Sequence, residues 1–108
     1  MNKVNERADL SALSEIDRLV HEPARLAVMA LLYVVDNADF IFLTNQTGLT
    51  WGNLSAHLSR LEEAGYISVE KTFKGKRPNT TLQLTPKGRD AFRAYVKKMK
   101  KVFQDFEG

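Results

Sequence analysis

Asn53, Ser59 and Arg60 are the side chains in this sequence best suited to trading hydrogen bonds with a flat array of donors and acceptors. Asn carries a donor and an acceptor together, Ser a hydroxyl, and Arg a forked cation that fits guanine or phosphate. Gly52, Ser55 and Ala56 lie among them and are small enough to let a backbone come close. Further along, Lys74, Lys76 and Arg77 supply positive charge within four positions. Chemistry of this kind is contact with a polyanion. No nucleophile–base pair, phosphate-binding glycine loop or metallohydrolase spacing accompanies it, so the residues argue against an enzyme.

Groups spread over residues 52–60 need a helix to gather them on one side. The Thr50 hydroxyl can cap the first turn, and Gly65 can take the left-handed geometry that closes the last one. Between them Leu54, Leu58 and Leu61 recur at i, i+4 and i+7, so the spacing predicts a helix over about 51–64 with one narrow apolar stripe. Gly52, Asn53, Ser55, Ala56, Ser59 and Arg60 fall on the other side. Solvated surface helices usually point long Glu and Lys side chains outward, and here only Glu62 and Glu63 do so, at the far end. The front suits a DNA major groove entered by a helix N-terminus. Phe40–Thr47 reads as a shorter helix with Gly48 permitting a turn, although Phe40-Ile41-Phe42-Leu43 has strand composition as well. The alternative is a buried helical hairpin with no partner.

The 108 residues predict one domain, with 44% hydrophobic and 27% charged residues typical of a soluble globular chain. Cysteine is absent, which excludes disulfides and thiolate metal sites and fits an intracellular, cytoplasmic location. Met1–Asp17 contains no signal-peptide core, and the longest apolar run, Leu26–Val35, is ten residues, about half of what spans a bilayer. The net charge of +3 is unevenly spread: residues 1–55 hold four Lys/Arg against seven Asp/Glu, and residues 56–108 hold twelve against six. Such asymmetry suits a polyanionic partner, though surface Lys is often just a solvated face.

Along the chain, Met1–Ala8 is polar and reads as frayed. Leu10, Leu13, Ile16 and Val20 follow helical spacing, with Asp9 or Ser11 as cap, up to His21-Glu22-Pro23. Pro23 then opens a second, apolar helix, PARLAVMALLYVVD, as the core pillar. Asp36–Asp39 is a polar interruption before Phe40. After Gly65, segments 66–73 and 80–85 alternate as strands, with Ile67, Val69 and Phe73 on one face, and 74–79 forms a turn-rich basic tip. Thr85 and Pro86 start a helix over about 86–106 whose stripe is Phe92, Tyr95, Val96, Met99, Val102, Phe103 and Phe106. At about 30 Å it should overhang its own core. Dimerisation through Tyr95, Val96, Met99, Val102, Phe103 and Phe106, joined by Leu10 and Leu13, covers that stripe; folding back onto the chain is the other way to do so.

The order helix, helix, helix-turn-helix, hairpin, long helix resembles the winged helix-turn-helix regulators of the ArsR/MarR type. PARLAVMALL resembles their core helix, GLTWGNLSAHLSRLEEAGYI their turn, recognition helix and first wing strand, and LQLTPKGRDAF their second wing strand and dimerisation helix. The resemblance spans about residues 20–95. It implies a mainly α fold with a small β-hairpin, acting as a homodimeric transcriptional regulator on double-stranded DNA. Helix 51–64 would enter the major groove, with Thr50 and Trp51 at its start, and wing 74–79 would sit by the minor groove or phosphates.

Metal-sensing members of that type use Cys or His–carboxylate clusters, and this sequence has only His21 and His57. His57 is placed to pack or make one hydrogen bond, and His21 to meet a helix dipole. No metal or other cofactor is expected, and no motif selects a small-molecule effector. A winged-helix protein-interaction module is the competing function, with Trp51 as its anchor. RNA binding lacks an aromatic platform.

Overall fold

The computed structural model describes residues 10–106. Its pillar is α1 (Pro23–Val35), with Pro23 in its first turn and Glu22 capping it by accepting from the Arg25 N–H at 2.9 Å. Val28, Met29 and Leu32 of α1 are fully buried. The helix ends in a tight turn at Asp36, whose φ of +64° is a strained choice for a residue with a Cβ. The turn is closed by the Asn37 N–H to Val35 carbonyl bond of 2.7 Å.

Strand β1 (Ala38–Asp39) follows, then α2 (Phe40–Thr47) and α3 (Trp51–Glu63), the strands β2 (Ile67–Lys74) and β3 (Arg77–Leu84), and the long helix α4 (Pro86–Gln104). The sheet is antiparallel with order β1-β3-β2. Leu54, Leu58 and Leu61 of α3 pack with α1, Leu43 of α2, and Ile67, Leu82 and Leu84 of the sheet in one core. The expected fold class, mainly α with a small hairpin, is the one observed.

Four expectations change. The helix from Leu10 to Val20 is only a 3-10 turn, Ser11–Glu15, with Leu10, a residue that has no polar side chain to cap with, at its N-cap position. Ile16 is extended because the Asp17 carboxylate accepts from the N–H groups of Leu19 (2.9 Å) and Val20 (3.4 Å), a local bond that competes with helix. Asp9 and Met1–Ala8 lie outside the described residues. Second, the polar interruption contains β1, pairing Ala38 with Leu82 and Asp39 with Thr81. Third, the 74–79 tip is mostly strand: Lys74 pairs with Arg77 and Phe73 with Pro78, leaving Gly75 and Lys76 as the turn. Pro78 fits there because β1 is too short to reach it, so its missing N–H breaks no ladder. Fourth, α4 ends at Gln104.

The helix ends behave as their capping residues dictate. Asp39 accepts from the Phe42 N–H at 2.7 Å, Thr50 from Asn53 at 3.1 Å and Thr85 from Gly88 at 3.0 Å. Ala64 caps the end of α3 in right-handed geometry, and left-handed Gly65 follows it (φ +79°). The Tyr66 N–H reaches the Leu61 carbonyl and the Gly65 N–H that of Glu62, the paired bonds of a glycine-closed helix end. There α4 docks: a Cβ on Gly88 would lie 2.0 Å from the Tyr66 carbonyl oxygen, so only glycine permits this approach.

Candidate nucleic-acid interface

The outward face of α3 is held by what lies behind it. Leu54, Leu58 and Leu61 fix its apolar side. His57, half-buried, accepts at Nδ1 from Arg25 Nη1 at 3.1 Å, and Arg25 Nε donates to the Leu19 carbonyl at 2.6 Å. Because a guanidinium only donates, Nδ1 of His57 is the acceptor in this contact. The Glu22 carboxylate is 3.8 Å from His57 Nδ1. The hydrogen bond from the Arg25 backbone holds the Glu22 carboxyl below the ordinary carboxylate range, against the opposing effect of burial. One buried cation thus ties the start of α1, the 17–20 turn and the middle of α3 together.

With that side fixed, Trp51, Gly52, Asn53, Ser55, Ala56, Ser59 and Arg60 all face solvent, as the helical spacing requires. Trp51 is 63% exposed, yet its ring stacks on Phe40 at 4.4 Å between centroids. The first turn of α3 holds no acidic side chain, so its free N–H groups and positive dipole end are open to an anion.

The hairpin stands beside this face. Lys74, Lys76 and Arg77 are exposed, and Lys74 Nζ is 3.9 Å from Asp39 Oδ2, linking the hairpin to the start of α2. A cleft of about 490 Å³ separates α3 from the sheet, with Trp51, Ser55 and Ser59 on one wall and Lys71, Pro78 and Thr80 on the other. Phe73 is 71% exposed at the hairpin end, whereas Ile67, nearer the core on the same face, is buried. Alternation placed Phe73 correctly on that face; the length of the hairpin beyond the core, which alternation does not report, left it uncovered.

The long helix divides its predicted stripe. Tyr95 and Val102 are buried within the chain, and Val96 and Met99 are half-buried. The 10–16 segment covers this part of α4, and Lys98 Nζ donates to the Glu15 carbonyl at 2.9 Å. Folding back therefore accounts for Tyr95 and Val102. Phe103, Phe106, Leu10 and Leu13 stay exposed, from 43% at Leu13 to 60% at Phe106. A groove of about 870 Å³ runs along α4 between Tyr33, Phe92, Arg93, Val96, Lys97 and Lys101.

His21 does not sit on a helix dipole. The residues before it form a turn, and its Nδ1 pairs with the Tyr95 hydroxyl at 2.7 Å. Among the described residues no three His, Cys, Asp or Glu side chains gather as a metal site, and no helix is long and apolar enough to cross a membrane.

A capped helix-turn-helix beside a three-stranded sheet whose hairpin projects past the core defines a winged helix. Residues 24–103 match the family of winged helix DNA-binding domains, and the chain belongs to that family. The uncharacterized protein MJ0432 of Methanocaldococcus jannaschii is 32% identical over 90 residues, covering 83% of this chain and 98% of its own. A transcriptional regulator homologue of Pyrococcus horikoshii OT3 shares 27% identity and a TM-score of 0.85 over 92% of this chain and 100% of its own. A MarR-family transcriptional regulator from Silicibacter pomeroyi, 21% identical, has the same fold with a TM-score of 0.59, over 86% of this chain and 64% of its own. The family is one of DNA-binding domains, and these solved structures of the same fold are transcriptional regulators.

Proposed function

We propose that residues 1–108 act as one cytoplasmic DNA-binding unit, a homodimer that reads operator DNA without a cofactor. The outward face of α3 enters the major groove, where Asn53 and Arg60 meet base edges and Gly52, Ser55, Ala56 and Ser59 allow close approach. Thr50 and Trp51 meet the sugar-phosphate backbone at the helix start. Lys74, Lys76 and Arg77 neutralise phosphates beside the adjacent minor groove, and the strand between the two grooves crosses the cleft. One observation carries this reading: the exposed face of α3 is built from small and polar residues while its opposite face is sunk in the core.

Leu10, Leu13, Phe103 and Phe106 form the dimer seam, with Val96 and Met99 at its margin and Tyr95 and Val102 stiffening the helix from within. Two copies related by a two-fold axis then present two α3 helices to successive turns of DNA. The exposure of Trp51 favours the competing interaction module. Enrichment of bound sequences from random duplexes separates them. A two-fold repeated half-site is expected, and no enrichment over input refutes DNA reading. Replacing Lys74, Lys76 and Arg77 with Ala should weaken binding to every duplex and flatten the salt dependence by about 0.9 for each phosphate no longer neutralised. An unchanged slope would place the wing away from DNA.

A further inference from the structure

Phe73 is too exposed and too closely surrounded by cations to be a stray core residue. It is 71% exposed, pairs across the ribbon with the exposed Pro78, and precedes Lys74, Lys76 and Arg77. From Lys71 to Arg89 the chain has no Asp or Glu. Lys74 and Arg77 flank a two-residue turn, so the next pair outward from the turn, Phe73 and Pro78, is the close, non-hydrogen-bonded kind, and the two rings form one apolar ridge. Pro78 lines the cleft shared with α3, so this ridge lies on the hairpin face turned toward Ser55 and Ser59.

We propose that Phe73, backed by Pro78, is the apolar contact of the wing with the minor groove of the DNA, packing between its deoxyribose walls while the flanking cations hold the phosphates. This rests on the DNA-binding reading above and adds a chemistry that reading does not contain. A minor groove about 6 Å wide admits a single side chain more readily than a two-stranded ribbon, and apolar side chains are a known means of contact there. The partner must be strongly anionic yet offer apolar walls between its charges, which the sugar-lined groove does. A ridge serving only to stabilise the hairpin would act on folding and not on DNA.

The test is hydroxyl-radical footprinting and a salt titration with the full chain, Phe73→Ala and Phe73→Leu on an enriched duplex, with thermal unfolding as the folding control. Phe73→Ala should bind on the order of ten-fold or more weakly, from the apolar area no longer buried. It should keep the parent salt slope and lose protection of the minor-groove sugars flanking the α3 footprint. Phe73→Leu should retain most of both. Parental affinity and protection in Phe73→Ala, with the parent bound normally, overturns the role of Phe73 alone. A reduced salt slope also overturns it, because the ring would then act by placing lysines. Failure of the parent to bind any duplex removes the DNA reading itself.

Discussion

Arg25→Met replaces the one charged side chain that is buried among the described residues and tests whether α3 is held from behind. Methionine keeps much of the aliphatic volume and removes both donors. The Leu19 carbonyl, bonded to Nε at 2.6 Å, loses its partner, at a cost of about 1–3 kcal/mol for a buried acceptor. The bond to His57 Nδ1 at 3.1 Å is broken as well, with a cation as donor but one partner near solvent, for about 1 kcal/mol more. Relief of the desolvated charge offsets part of this, so the expected net loss is about 2–3 kcal/mol, or on the order of 10–20 °C in unfolding temperature for a chain of this size. Urea unfolding followed by circular dichroism measures it. His57→Ala combined with Arg25→Met should cost less than the sum of the single changes, by about 0.5–1.5 kcal/mol, because the two residues touch. Stability within about 0.5 kcal/mol of the parent, or strict additivity, would show that the Arg25–His57 link does not position α3.

Tyr66 donates its hydroxyl to the Asp17 carboxylate, and burial first, then that bond, push its phenol up to about 12. A raised folded pKa means the phenol form stabilises the fold below pH 10, and that contribution is lost as pH climbs from 10 toward 12. Unfolding temperature across that window should therefore fall more steeply for the parent than for Tyr66→Phe, and equal slopes would refute the linkage. Leu13→Glu with Phe103→Glu places charge on the exposed apolar end; sedimentation should report a monomer with circular dichroism unaltered, and an intact dimer would move the seam elsewhere.

The element ends were legible because each is set by one local residue: Thr50, Gly48, Gly65, Thr85 and Pro86 cap or stop helices through bonds within a few positions. The outward face of α3 was legible for a related reason, since helical spacing alone separates Asn53 and Arg60 from Leu54, Leu58 and Leu61. What was not legible depends on distant partners. Strand β1 is two residues with no strand pattern, existing because β3 offers Ala38 and Asp39 a free edge. The first predicted helix failed because Asp17 has nearby N–H groups to cap and a partner in Tyr66 far along the chain. Arg25 looked like an ordinary helix residue; its role comes from the Leu19 carbonyl and His57, which only the folded chain brings to it.

The central claim is that the exposed face of α3 reads bases, and the affinity of Ala56→Glu for an enriched duplex against a scrambled one tests it most directly, with Asn53→Ala beside it. Both residues are exposed and opposite the leucine stripe, so folding should be unaffected. Asn53→Ala should lose about 1–3 kcal/mol on the enriched duplex and relax preference at a single base position. Ala56→Glu, which sets bulk and negative charge against the groove, should lose more and erase the difference between the two duplexes. If both variants, folded as the parent, bind the enriched duplex with parental affinity and preference, α3 does not read DNA.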